Sequence, residues 1–144
     1  MKPDICIGID PGVNTGVAIY RPSDRKLLFV SSMKAVEAES IVRSPGAVIG
    51  YPIHSLHVYV EDTRNLRLPS RLQQRDAFKG LGSVHRDMGR WHEFLEYHAI
   101  EHTMRGLAPK PFREGNDEWF KKLTGWDKRT NEHGRAAAGL VWGL

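Results

Sequence analysis

The pattern that most constrains the fold is a short apolar run, Ile5-Cys6-Ile7-Gly8-Ile9, that ends at Asp10. Successive apolar positions bounded by turn residues predict a strand buried inside a sheet. Residues 11–16 are turn-forming, and the apolar residues 17–20 predict a second strand that pairs with the first as a hairpin. The fold must therefore place the Asp10 carboxylate at the end of a buried strand, beside a glycine-rich turn.

The rest of the chain alternates between predicted strands and helices. We predict strands at residues 26–33, 56–61 and 103–108, and helices at 35–43, 69–79, 83–98, 114–123 and 130–142. The glycines at positions 80 and 82 are expected to separate the second helix from the third. Three early strands joined by short turns, followed by alternating elements, predict an α/β domain with a mixed sheet.

Apolar spacing predicts the buried faces of the helices. Val36, Ile41 and Val42 are expected to form the buried face of the first helix, and Thr130 is expected to cap the last one. The third helix carries a longer apolar stripe, formed by Leu81, Val84, Met88, Trp91 and Leu95. This stripe predicts that the helix packs on the sheet.

Length and composition narrow the class of protein. Asp10 begins an Asp-x-Gly-x-x-x-Gly pattern, which is found in the phosphate loops of two-lobed ATPases. The chain has only 144 residues, the size of one domain, and this length argues against such an ATPase. Its single cysteine, Cys6, forms no internal disulfide, so we expect a cytoplasmic protein. No apolar stretch approaches the roughly 20 residues of a membrane span.

Two carboxylates end β-rich runs. Asp10 closes the first strand, and Glu61 follows Val58-Tyr59-Val60 near the middle of the chain. Each has a simpler explanation, a turn for Asp10 and a position at the rim of the sheet for Glu61. If their strands are neighbours, however, the two carboxylates meet and supply the hard oxygen ligands that Mg²⁺ or Mn²⁺ requires.

His133 lies near the start of the last predicted helix and shares a face with Ala136, Ala137 and Leu140. A histidine there can act as a metal ligand or a base. The alternative is a histidine that only packs against a neighbouring strand.

Together these segments resemble the RuvC-type Holliday junction resolvases of the RNase H-like superfamily. The resemblance covers nearly the whole chain, and its motifs are Ile7-Gly8-Ile9-Asp10-Pro11-Gly12 with Thr15-Gly16, Val58-Tyr59-Val60-Glu61-Asp62, Leu81-Gly82-Ser83-Val84, and Asn131-Glu132-His133-Gly134-Arg135, the last typical of phage-type members. It implies one nuclease domain over residues 1–144, with a five-stranded mixed sheet flanked by helices.

The same resemblance implies a homodimer that nicks four-way DNA junctions in a bacterial or phage-infected cell. It implies two Mg²⁺ (or Mn²⁺) ions per active site, with Asp10 as the shared ligand and with Glu61 and the last helix completing the site. A nuclease for RNA–DNA hybrids or for branched replication forks is a further possibility on the same fold.

The chain departs from the family pattern at Ala136. The family places two ligands three residues apart on the last helix, and His133 matches the first, but Ala136 stands where the second should be an aspartate. Glu132 and Asp127 are nearby in sequence but do not share that helical face. We therefore expect an inactive or impaired nuclease, either through a deliberate Asp→Ala change, which we favour, or as a natural protein that binds branched DNA without cutting it.

Basic residues are concentrated in one segment. Residues 62–92 hold seven basic and three acidic residues, which accounts for the whole net charge of +4. A localised excess of this kind is typical of a surface that binds phosphates, although many charged helix faces are merely solvated. We predict DNA contacts from Arg64, Arg67, Arg71, Arg75, Lys79, Arg86 and Arg90. The family resemblance implies a second set ahead of the last helix, formed by Lys110, Arg113, Lys121, Lys122, Lys128 and Arg129.

Overall fold

The computed structural model describes residues 2–62 and 75–144, and for residues 75–84 it describes the backbone alone. Its five strands are β1 (Ile5–Asp10), β2 (Thr15–Arg21), β3 (Lys26–Met33), β4 (Leu56–Glu61) and β5 (His102–Arg105). They form one sheet in the order β3-β2-β1-β4-β5. The sheet is mixed, because β1 pairs antiparallel with β2 but parallel with β4, and β4 pairs parallel with β5.

Helices cover the two faces of this sheet. They are α1 (Ala35–Arg43), α2 (Pro45–Ile49), α3 (Arg75–Tyr97), α4 (Lys110–Glu114), α5 (Asp117–Thr124) and α6 (Glu132–Val141). Side chains of β1 alternate between the faces: Ile7 lies in the same core layer as Trp91 of α3, whereas Cys6 lies in the layer that contains Ala137 of α6 and Phe120 of α5. The hydrophobic core therefore has two layers, one on each side of the sheet.

The structure confirms every predicted strand to within a few residues and corrects several helix predictions. The helical stretches on either side of Gly80 and Gly82 belong to one helix, α3, whose continuity is not interrupted by these glycines. The part of the predicted second helix at residues 69–74 lies outside the described residues. Residues 110–124 form two short helices, α4 and α5, because the backbone at Gly115 is extended and ends the first of them.

Two smaller predictions were wrong. Val36 is 67% exposed, whereas Val42 is buried as predicted, Ile41 is half-buried, and Ala38 completes the buried face of α1. The cap of α6 is Asn131, whose side chain accepts a hydrogen bond from the backbone N–H of Gly134, and not Thr130. Of the predicted stripe on α3, the side chains of Met88, Trp91 and Leu95 are described, and all three are buried as expected.

No helix in the described ranges is long and apolar enough to cross a membrane.

Candidate metal centre

Asp10 and Glu61 lie side by side at one edge of the sheet. Because β1 and β4 run parallel and Ile9 is in register with Val60, the two carboxylates that end these strands are neighbours. Ile9 and Val60 pack in the core layer beside α3, so the alternation of side chains directs the two carboxylates to the face that α6 covers. The Asp10 side chain is 17% exposed, and Glu61 as a residue is 6% exposed.

His133 joins the two carboxylates from the first turn of α6. Its Nδ1 atom lies 3.2 Å from Oδ2 of Asp10. Asn131 holds the helix start in place, since its Oδ1 atom accepts the hydrogen bond from Gly134 at 3.0 Å and its amide donates to Oγ of Ser32 on β3. Asn131 thus holds the first turn of α6, and with it His133, against the sheet.

Two glycines allow α6 to approach the sheet closely enough for this contact. A Cβ atom at Gly16 would lie 2.0 Å from the carbonyl oxygen of His133, and one at Gly8 would lie 2.1 Å from that of Ala137. Both distances are far inside van der Waals contact, so any side chain at these positions would push the helix away. Both glycines belong to the sequence motif at the start of the chain.

Burial raises the pKa of both carboxyl groups. The pKa of Asp10 is raised to about 6 and that of Glu61 to about 8. For both groups the largest cause is the loss of hydration on burial. The charge of Asp10 and a hydrogen bond with it raise the pKa of Glu61 further, whereas the positive charges of Arg113 and His133 oppose the rise. Two such carboxylates need a shared proton or a bound cation to coexist.

The donor set fits a divalent cation. Oε2 of Glu61 is buried and has no hydrogen-bond partner in the described part of the chain. A buried carboxylate oxygen left without a partner is costly, and a cation can satisfy it. Carboxylate oxygens suit Mg²⁺ or Mn²⁺, so Asp10 and Glu61, with the imidazole of His133 beside them, are the residues that would hold the metal.

Position 136 lies within the core, one helical turn after His133. Ala136 is 5% exposed and packs in the layer that contains Phe112 and Leu140. It contributes no donor atom. Asp10, Glu61 and His133 are therefore the candidate ligands that remain from the predicted set.

The structure brings one further carboxylate to the centre that the sequence pattern did not favour. Oε1 of Glu132 lies 3.6 Å from Nε2 of His133, and its negative charge contributes to the raised pKa of Asp10. Helical spacing does not predict this contact. Glu132 is the first residue of α6, and its side chain, which is 70% exposed, bends back to the imidazole. No contact of Asp127 with His133 is found among the described residues.

The structure describes the first set of predicted DNA-contacting residues to different extents. Arg64, Arg67 and Arg71 lie outside the described residues, and Arg75 and Lys79 are placed on α3 by their backbone alone. Arg86 is exposed on the same helix. Arg90 forms an ion pair with Glu39 of α1 at 3.0 Å.

The second basic set lies on and around α4, α5 and the start of α6. Lys110 and Lys122 each lie 3.7 Å from a glutamate one helical turn away, at exposed positions where such pairs contribute little. Lys121 is exposed, and Arg129 lines a polar groove of about 340 Å³ at the start of α6, together with Ser31, Ser32, Thr130 and Asn131. Arg113 donates to the carbonyl of Ala108, and its charge acts on Glu61.

Comparisons with known proteins find a likeness of fold. No protein-family model matches the chain, and no curated protein matches its sequence. Its structure is similar to that of T. thermophilus RuvC in complex with Holliday junction substrate, with a TM-score of 0.58 and 13% sequence identity over 96% of this chain and 90% of that one. The fold is RNase H-like. This confirms the predicted fold class, a five-stranded mixed sheet flanked by helices.

Proposed function

We propose that this chain is a metal-dependent endodeoxyribonuclease of the Holliday junction resolvase type, impaired by the alanine at position 136. The observation that carries the proposal is the meeting of Asp10, Glu61 and His133 at one edge of an RNase H-like sheet. These three residues are the ones that the sequence singled out for metal chemistry. The basic segment at residues 62–92, which begins directly after Glu61, supports a phosphodiester substrate.

A four-way junction is the substrate that the fold supports best. T. thermophilus RuvC, whose fold this chain shares, is bound to a Holliday junction substrate in its structure. Four-way junctions have two-fold symmetry, and a homodimer of this chain would present two centres to two opposed strands. We therefore propose a homodimer acting on branched DNA in the cytoplasm of a bacterial or phage-infected cell.

The residues of the centre have distinct parts in the proposed reaction. Asp10 and Glu61 supply the hard oxygen ligands, and the contact with Asp10 orients the imidazole of His133. The positive end of the α6 helix dipole favours a phosphate at this edge of the sheet. When bound, two Mg²⁺ or Mn²⁺ ions would polarise the scissile phosphate and lower the pKa of the attacking water.

Ala136 limits this chemistry. A centre with no donor atom at position 136 would hold one of the two ions with a ligand missing, so the chain as it stands would be inactive or slow. Glu132 is the carboxylate best placed to supply part of the deficit, because it already contacts His133.

The test is cleavage of a labelled synthetic four-way junction in Mg²⁺ or Mn²⁺. We expect symmetric paired nicks from the Ala136→Asp variant, at least about 100-fold faster than from the parent chain. Ala136→Asn is the matched control, since it adds nearly the same volume without the charge. If none of the three proteins cuts while all bind the junction tightly, the chain is a branched-DNA-binding module, which is the second candidate function.

A substrate panel separates the nuclease classes. The same variant would be incubated with a linear duplex, a replication-fork mimic and an RNA–DNA hybrid. We expect the four-way junction to be cut preferentially. Preference for the hybrid would keep the metal centre but replace the proposed substrate.

The proposed homodimer is tested by light scattering of the purified chain on its own and with a four-way junction. A mass of two chains is expected in both cases, and a single chain on the junction would contradict it.

A further inference from the structure

A second cluster of metal-ligating side chains lies where the end of α3 meets the edge strand β5. His92 and Glu96 are one turn apart on α3, and His102 is the first residue of β5. One ligand atom from each residue lies within 4.8 Å of the other two. The cluster therefore joins two elements that are separate in the sequence through two imidazoles and a carboxylate.

The two distances that His102 makes in this cluster are close to those around a tetrahedral ion, and the His92 and Glu96 ligand atoms lie within 4.8 Å of each other. Nε2 of His102 lies 3.3 Å from Nδ1 of His92 and 3.5 Å from Oε1 of Glu96. A tetrahedral Zn²⁺ ion with ligands at about 2.0–2.1 Å separates neighbouring ligand atoms by about 3.3–3.4 Å. The spacing leaves a position for the ion without rearrangement of the backbone.

The tautomer of His102 is fixed in the form that a metal ligand needs. Its Nδ1 atom lies 2.8 Å from the carbonyl oxygen of Ile100, which can only accept, so Nδ1 carries the hydrogen. In the neutral ring Nε2 then presents its lone pair to His92 and Glu96. A ligand histidine whose other nitrogen donates to a backbone carbonyl is the usual arrangement in metal sites.

His102 is the rigid member of the cluster. Its side chain is only 11% exposed, and its backbone pairs with Val58 of β4. The side chains of His92 and Glu96 are exposed, so an ion and its water can reach the site from solvent. Three protein ligands and one open position are thus available.

This cluster is independent of the centre at Asp10 and Glu61. His102 is in register with Val58, three residues before Glu61, and is therefore about 10 Å further back along the sheet. It shares a sheet face with Met104, which packs on the layer beside α3, whereas the carboxylates of the centre face α6. The two sites are on opposite faces of the sheet.

We propose that His92, Glu96 and His102 form a Zn²⁺-binding site, with water as the fourth ligand, that ties the end of α3 to β5. Zn²⁺ is the ion favoured by two imidazoles and one carboxylate in tetrahedral geometry. Bound Zn²⁺ would stabilise the folded state, since the unfolded chain does not hold the three ligands together. The inference stands whether or not the chain is a nuclease.

Calorimetric titration with ZnCl₂ tests the site. The protein would carry Asp10→Asn, Glu61→Gln and His133→Ala, so that the other centre takes up no metal. We expect one Zn²⁺ per chain, and binding at least about tenfold weaker after His92→Ala or Glu96→Gln and lost after His102→Ala. His54→Ala, which removes an exposed histidine elsewhere, is the matched control and should leave the affinity unchanged.

Co²⁺ provides a second readout. Its visible absorption is expected to be that of a four-coordinate site and to disappear on addition of Zn²⁺. His92 and Glu96 are exposed, so their variants should retain the fold, which circular dichroism checks directly. Unchanged Zn²⁺ affinity in both of these folded variants, or no binding by the protein with the cluster intact, would overturn the proposal.

Discussion

Nδ1 of His133 lies 3.2 Å from Oδ2 of Asp10, although the two residues are 123 positions apart in the sequence. The contact joins the end of β1 to the start of α6 on the face where Glu61 is buried. It depends on close packing of the helix against the sheet at Gly8 and Gly16. Sheet register, helix packing and cap together therefore produce the candidate centre.

Replacement of Gly16 by alanine should disturb the centre without changing any of its candidate ligand side chains. The added Cβ would lie 2.0 Å from the carbonyl oxygen of His133, so α6 must shift. We expect the free energy of unfolding to fall by about 1–3 kcal/mol and metal binding to weaken. Urea unfolding and Mg²⁺ titration measure the two effects.

Gly89→Ala is the matched control for this change. Gly89 is inside α3, and a Cβ there would meet no atom of the described residues within 4 Å. Alanine is the better helix former by up to about 1 kcal/mol, so stability should hold or rise. Equal decreases in stability from both substitutions would contradict the packing argument.

The metal-free protein should become less stable as the pH rises. Glu61 has a pKa of about 8 in the folded chain against about 4.5 for an ordinary glutamate, so the folded state binds more protons between these values. The contribution of Glu61 to the free energy of unfolding is fully present below about pH 4.5 and is lost as the pH rises through about 8. The loss is at most about 1.4 kcal/mol per pH unit. Urea unfolding in EDTA from pH 5 to 8.5 measures the slope.

Glu61→Gln provides the comparison for this slope. Glutamine keeps the shape but does not ionise, so the decline should flatten and the variant should be more stable than the parent at pH 8. A decline of the same steepness in the variant would show that another group causes it.

Mg²⁺ should stabilise the protein more at pH 8 than at pH 6. The metal competes with protons for Asp10 and Glu61, whose pKa values lie at about 6 and about 8. At a Mg²⁺ concentration about 100-fold above the dissociation constant, the rise in Tm would correspond to about 2.7 kcal/mol of added stability. Asp10→Asn should abolish the rise, and a rise that survives in that variant would place the ion elsewhere.

Substitution of the arginines that follow Glu61 should weaken DNA binding in a salt-dependent way. Each glutamine placed at Arg64, Arg67 or Arg71 should remove one charge that neutralises a phosphate, and the slope of log affinity against log salt should fall by about 0.9. Fluorescence anisotropy with a four-way junction at several salt concentrations measures this slope. Arg21→Gln is the control, because Arg21 lies on β2, which is separated from β4 by β1, and pairs with Asp24. An equal effect of this substitution would indicate non-specific attraction to DNA.

Most of the sheet was predictable because its strands carry strong local patterns. The apolar run at β1 and the β-rich run at β4 each end in a carboxylate, and both strands form where predicted. Helix details depended on tertiary contacts that no local pattern encodes. Val36 has the right spacing for burial but faces solvent, because the fold buries Ala38 beside the correctly predicted Val42.

The candidate centre was predictable only in part. Asp10, Glu61 and His133 carry signals in the sequence, whereas the contact of Glu132 with His133 depends on the path of one exposed side chain. The histidine cluster was not predicted. His92 and Glu96 have helical ligand spacing, but pairing them with His102 requires knowledge that β5 lies beside the end of α3.

The most direct test of the proposed nuclease centre is the rate of Mg²⁺-dependent cleavage of a four-way junction by Ala136→Asp, with and without Asp10→Asn in the same chain. We predict paired, symmetric nicks from the single variant and none from the double variant. A carboxylate at this buried position should also lower metal-free stability by about 1–3 kcal/mol, which Mg²⁺ restores in part. Failure of a folded, junction-bound Ala136→Asp protein to cut, or undiminished cutting after removal of the Asp10 carboxylate, would contradict the proposed centre.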